Sequence, residues 1–181
     1  MADEVALVHN QQECIRIAKE LFVSEVHQAR MLVVFLFGKF AAQSNENLNF
    51  LRSEVSKDKD WRVQEILAQA FDQYCAEIGY ELALSMIEDW LADPNPNVRR
   101  AVTEGLRIWT SRAYFCDHPN IAIALLSNLS NDESEYVRKS VGNALRDISR
   151  KHQALVKTEL QGWNISDKRI KQTYTLASKF L

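Results

Sequence analysis

The chain has 181 residues but only five glycines and three prolines. Many tight β-turns need those residues for their special φ values, so a sandwich or barrel of short strands is disfavoured and long helices are expected. The three cysteines, Cys14, Cys75 and Cys116, are odd in number and form no CxxC. A disulfide framework or zinc site is therefore not expected, and the thiols read as reduced. The most apolar run, Met31 to Phe37, falls far short of the ~20 residues that span a bilayer. The N-terminal stretch also lacks the basic and apolar regions of a signal peptide. These absences point to a cytoplasmic protein with no membrane contact. His9, His27, His118 and His152 are scattered, and no Walker A, GxSxG or GxGxxG motif occurs. Neither a metal nor another cofactor is expected.

What is present is an uneven charge. The net charge is −2. From Tyr136 to the end, however, ten Lys/Arg face three acids, a net of +7, against −9 in the remainder. Such asymmetry marks either a polyanion-binding end or an ordinary solvated helix surface.

The chain also repeats itself. Segments beginning near Arg30, Arg62, Asn97 and Tyr136 align with Met31, Val63, Val98 and Val137 as equivalents, at offsets of 32, 35 and 39 residues. That is the size of a helix–turn–helix repeat. Val98, Ala101, Val102, Gly105, Leu106 and Trp109 fall on one helical stripe, and Val137, Ser140, Val141, Ala144, Leu145 and Ile148 repeat it. Gly105 and Ala144 share a column in which a small residue allows close packing. Partner helices are read at Glu81 to Leu91 and Ile121 to Leu129. A last pair is read at Gln153 to Trp163 and Asp167 to Phe180, with turn residues between them as stops and caps. The expectation is an all-α protein, an α-solenoid of about five HEAT-like helix pairs forming a single repeat domain over residues 1–181.

Stacked repeats turn equivalent residues into ladders. One polar ladder reads Trp61, Glu65, Gln69 and Gln73, then Pro96, Arg100, Glu104 and Ile108, then Glu135, Lys139, Asn143 and Asp147. In the first repeat the same register reads Val33, Phe37 and Ala41, which is apolar. The ladder fits either the solvated outside of amphipathic helices or a nucleic-acid groove. Trp61 is either a stacking platform or a core residue near a helix start.

Across Trp61 to Glu65, Asn97 to Gly105 and Ser134 to Ser149, the sequence resembles the AlkC/AlkD-type HEAT-like DNA alkylation-repair proteins. The similarity runs from about residue 30 to the end. Active members of that family are DNA glycosylases that excise positively charged alkylated bases. Against the AlkD-like pattern, Trp61 and Arg100 match in type, Glu65 replaces an Asp, and Asn143 stands where a second Trp belongs. Against the AlkC-like pattern, Glu104 and Asp147 match the carboxylates, and Gln69 stands at an earlier one. The resemblance thus implies Glu65, Glu104 and Asp147 as catalytic carboxylates. It implies Trp61, Gln69 and Asn143 as substrate contacts.

The chemistry suits those residue types. Breaking the glycosidic bond of a cationic purine builds positive charge on the sugar, which a carboxylate stabilises. Aromatic faces attract the cationic base. Phosphates need cations, for which Arg99, Arg100, Arg112, Arg138 and Lys139 are the candidates. The partner expected is duplex DNA, alkylated or branched, bound by a monomer that is nucleoid-associated while bound. Two other readings stay open: a non-catalytic binder of damaged or branched DNA, and a protein-interaction solenoid.

Overall fold

The structure, a computed structural model, describes residues 2–181. No β-strand occurs among them. The helices are α1 Ala2–Val8, α2 Gln11–Leu21, α3 His27–Lys39, α4 Asn45–Ser53, α5 Trp61–Ile78, α6 Leu84–Leu91, α7 Pro96–Gly105, α8 Ala113–Asp117, α9 Pro119–Ser127, α10 Glu135–Gln161 and α11 Lys168–Ala177. Their order gives the five helix pairs: α2/α3, α4/α5, α6/α7, α9 with the first part of α10, and the remainder of α10 with α11. The last division exists because His152 leaves helical geometry, at φ −126° and ψ 48°, so α10 is two helices in series. Where the sequence reads as one domain, packing divides the chain into two compact units, the first ending at Leu82 and the second running from Ala83 to Leu181.

In the first unit α3 is the central helix, packed against α2, α4 and α5. Its side chains Val33, Val34, Leu36 and Phe37 are buried with Leu51, Val63, Leu67 and Phe71. Phe37 stacks on Phe50 with centroids 4.2 Å apart. Gly38 allows the approach of α5, because a Cβ there would lie 2.7 Å from Ala70 Cβ. Asp60 caps α5 by accepting from Arg62 N at 3.0 Å. Gly79 ends it at φ 91°, a conformation that only glycine adopts without strain. That turn places the start of α6 at Leu84, later than the expected Glu81.

In the second unit α10 is central and packs against α7, α9 and α11. The stripes expected on α7 and α10 are the core: Val98, Val102, Leu106 and Trp109 meet Val137, Val141, Leu145 and Ile148 in a dry interior. Asn95 caps α7, with Pro96 at its first position, and Asp167 caps α11. The close approach in this unit is at Gly142, where a Cβ would stand 2.7 Å from Leu176 Cβ and 2.9 Å from Thr173 O. Gly105, expected to serve packing, is half-buried at the end of α7. Cys14 and Cys75 are buried free thiols, and Cys116 is an exposed one.

Candidate nucleic-acid interface

Equivalent clasps recur within each unit. Arg99 Nη1 donates to Asp93 O at 2.7 Å, while its Nε and Nη2 donate to the Asp132 carboxylate at 2.6 and 2.8 Å. Arg138 Nη1 donates to Asp132 O at 2.6 Å, and its Nε and Nη2 reach Gln172 Oε1 at 2.9 and 2.6 Å. In the first unit Arg30 donates to Ser24 O at 2.7 Å and to Asp58 at 2.6 and 3.3 Å. Gln64 Nε2 donates to Asp58 O at 2.8 Å and to the carbonyls of Val55 and Ser56. Each of these four side chains binds the carbonyl six residues before it.

Arg99 and Arg138, expected as phosphate contacts, are engaged on every arm within the fold, and Arg138 is buried. The first repeat is aligned by Arg30 with Gln64, two residues from the expected register. Val33, Phe37 and Ala41 are therefore core residues rather than ladder positions. The first-repeat ladder is His27, Met31, Phe35 and Lys39. Arg112 is also committed to the fold. Its Nη1 donates to Arg107 O at 2.8 Å and Ser111 Oγ at 2.8 Å, and its Nη2 donates to Gly105 O at 3.0 Å. It thereby caps carbonyls left open at the end of α7.

In the first unit, Trp61, Glu65 and Gln69 lie along one face of α5 at helical spacing. Trp61 is 67% exposed, so it is not the core residue that the sequence left open. The Arg62 guanidinium lies 5.9 Å from its ring centroid and is itself held by Asp60, Nε to Oδ1 2.9 Å and Nη2 to Oδ2 2.7 Å. Hydrogen bonding from Arg62 holds the Asp60 carboxyl well below the usual carboxylate range. Glu65 is half-buried and Gln69 exposed.

In the second unit the structure gathers Glu104 of α7 with Asn143 and Asp147 of α10. Arg107, absent from the expected site residues, joins the two carboxylates. Its Nη1 lies 3.9 Å from Glu104 Oε2 and its Nε 3.5 Å from Asp147 Oδ2. Arg146 adds two contacts to Asp147 Oδ1, from Nε at 3.2 Å and Nη2 at 3.1 Å, and its Nη1 donates to Asn143 Oδ1 at 3.0 Å. Arg150 Nε lies 4.0 Å from the same Asp147 oxygen, and its guanidinium stacks 4.6 Å over the Phe180 ring. The Asp147 side chain is only 11% exposed, with both oxygens bound by guanidinium groups. Two carboxylates thus stand among three arginines, a surplus of positive charge on the α7–α10 face. Arg100 is half-exposed on α7, and Lys139 is exposed on α10 in an i,i+4 pair with Glu135 at 2.7 Å.

A family model described as DNA alkylation repair enzyme matches residues 2–173. The chain belongs to that family. Within the family's fold, AlkD2 from Streptococcus mutans is 51% identical, with a TM-score of 0.95 over 99% of this chain and 88% of that one. The alkylpurine DNA glycosylase AlkC of Pseudomonas fluorescens, solved bound to DNA containing an abasic site analog, shares the fold at 24% identity. Its TM-score is 0.57, over 97% of this chain and 54% of that one. An uncharacterized Bacillus subtilis protein, YhaZ, is 36% identical over 87 residues; that match covers 46% of this chain and 24% of YhaZ.

The family's helical-repeat architecture accounts for the α2-to-α11 pairing. The arginines that surround Asp147 were legible only as part of the basic C-terminal count. Nothing in their spacing said that Arg107, 40 residues from Asp147, would meet it.

Proposed function

We propose that the chain is a DNA-binding protein of alkylation repair. In this reading it holds duplex DNA at the phosphate backbone through Arg107 and Arg150, which are 50% and 63% exposed, with Arg100 on α7 and Lys139 on α10. Arg146, engaged on every arm by Asp147 and Asn143, serves as the anchor. The observation that carries the reading is the three-arginine cluster around Asp147. The half-buried carboxylate of Asp147 holds the guanidinium groups in a fixed fan, and their combined charge exceeds that of the acids between them. Guanidinium groups held this way meet phosphate oxygens with little further ordering cost. The Lys139–Glu135 pair is exposed and weak, so a phosphate competes for the lysine easily. Neutralising phosphates releases counterions, so the binding constant falls steeply with salt.

The test is titration of duplex DNA, unmodified and methylated, across a salt series. Arg150→Gln is expected to flatten the log–log salt slope by about 1, the loss of one phosphate contact. A binding constant indifferent to salt contradicts the reading.

Base excision is a second reading, favoured by Glu104. That side chain is 20% exposed, and its ion pair with Arg107 is long at 3.9 Å. It is a carboxylate able to face a cationic sugar. Asp147, with both oxygens occupied, suits the role of arginine anchor better than that of charge stabiliser. Release of free alkylated base by the wild type, lost in Glu104→Gln, establishes excision. Tight binding without release leaves a binding protein.

A further inference from the structure

Ile108 follows α7 directly after Arg107 and adopts φ 56°, ψ 51°. It is the one non-glycine residue at positive φ among the described residues. A β-branched side chain is a steric outlier in that region, which glycine and asparagine enter readily. The conformation is imposed from both sides, since Leu106 before it and Trp109 after it are fully buried. The turn is locked by Ser111 N donating to Ile108 O at 2.7 Å and by Arg112 holding the carbonyls of Gly105 and Arg107. Within this rigid turn Ile108 itself points outward, 48% exposed. A glycine would form the turn with less strain. Strain kept at one exposed position beside a charged cluster indicates a function for the side chain.

We propose that Ile108 is an apolar wedge that enters the minor groove of bound duplex DNA and unstacks a base step. The inference rests on the DNA-binding reading of the α7–α10 face. Its position supports it. Ile108 lies in the turn just past the end of α7, and its chain neighbour Arg107 sits between Glu104 and Asp147. Phosphate-binding arginines on the α7–α10 face bring the backbone to this turn, and a rigid aliphatic group is what unstacks a step. An exposed isoleucine there gains burial only when DNA covers it.

The experiment compares the wild type with Ile108→Asn on a duplex carrying a fluorescent aminopurine, whose emission rises on unstacking. Asparagine tolerates the left-handed backbone but offers no apolar surface. The variant is expected to melt at or above the wild-type temperature and to keep the wild-type salt slope. It is expected to bind about tenfold more weakly, the loss of a buried aliphatic contact, and to abolish the fluorescence rise. Wild-type affinity and fluorescence in the variant overturn the wedge. A melting temperature lower by several degrees overturns it too, because Ile108 would then serve the fold. If the wild type binds no duplex at all, the DNA-binding reading itself fails, a result distinct from either.

Discussion

Arg99 closes on Asp132 across 33 residues of sequence with two parallel bonds, Nε to Oδ2 at 2.6 Å and Nη2 to Oδ1 at 2.8 Å. The pair is nearly dry, 13% and 4% exposed. It ties α7 to the loop that starts α10, and Asp132 in turn accepts Ser134 N at 2.8 Å to shape that loop. Removing the arginine leaves a buried carboxylate unpaired. Arg99→Ala is expected to destabilise the fold by about 3–5 kcal/mol, read as a loss of thermal or denaturant midpoint. Arg138→Ala, which strands the carbonyls of Asp132 and Glu133, is expected to act in the same direction. Neither variant should change the salt slope of DNA binding at temperatures where it is folded.

These arginines show what the sequence could and could not say. The helical stripes of α7 and α10 were legible because the period of 3.6 places apolar residues on one face whatever lies opposite. The repeat length was legible for the same reason. The destination of a polar residue at the stripe's edge was not. Arg99 and Arg100 are adjacent and chemically identical, yet one is clasped and the other lies on the candidate face. A signal did exist: Asp58, Asp93 and Asp132 each stand six residues before Gln64, Arg99 and Arg138. Aligning on that spacing also identifies Arg30, six after Ser24, and corrects the two-residue slip in the first repeat. The hydrophobic pattern of Met31 to Phe37 hid the slip, because a run apolar on all sides fits any register. The Glu104–Arg107–Asp147 contact joins two helices and had no local signature.

Asp147→Asn tests whether this carboxylate anchors the arginines. The substitution removes the charge that Arg107, Arg146 and Arg150 share. Mutual repulsion then lowers the melting temperature. Affinity for unmodified duplex at low salt is expected to rise, since no carboxylate competes with phosphate. Weaker low-salt binding by a folded variant would show that the fixed placement of the arginines by Asp147 outweighs the charge it neutralises.

Gly142→Ala tests the α10–α11 contact. The added methyl meets Leu176 Cβ and Thr173 O at distances below van der Waals contact. The expected cost is about 1–3 kcal/mol, measured by chemical denaturation. A neutral result would mean that α11 moves aside freely.

The Asp60–Arg62 pair predicts a specific titration. Hydrogen bonding to Arg62 depresses the Asp60 carboxyl in the folded state. A depressed carboxylate contributes stability above its unfolded value of about 3.9, and that contribution is lost as pH falls toward the folded value. The Asp60 carboxyl followed by NMR should therefore stay ionised while exposed carboxylates protonate. Arg62→Gln should move its midpoint back up toward them. An ordinary midpoint in the wild type would contradict the pairing that holds Arg62 beside Trp61.

The most direct test of the central claim is the salt dependence of duplex binding by the wild type beside an Arg107→Gln/Arg150→Gln double variant. The account predicts a steep linear fall of log K with log salt for the wild type and a slope shallower by about 2 for the variant, with both proteins equally folded. Superimposable slopes would show that the cluster around Asp147 does not touch the DNA backbone.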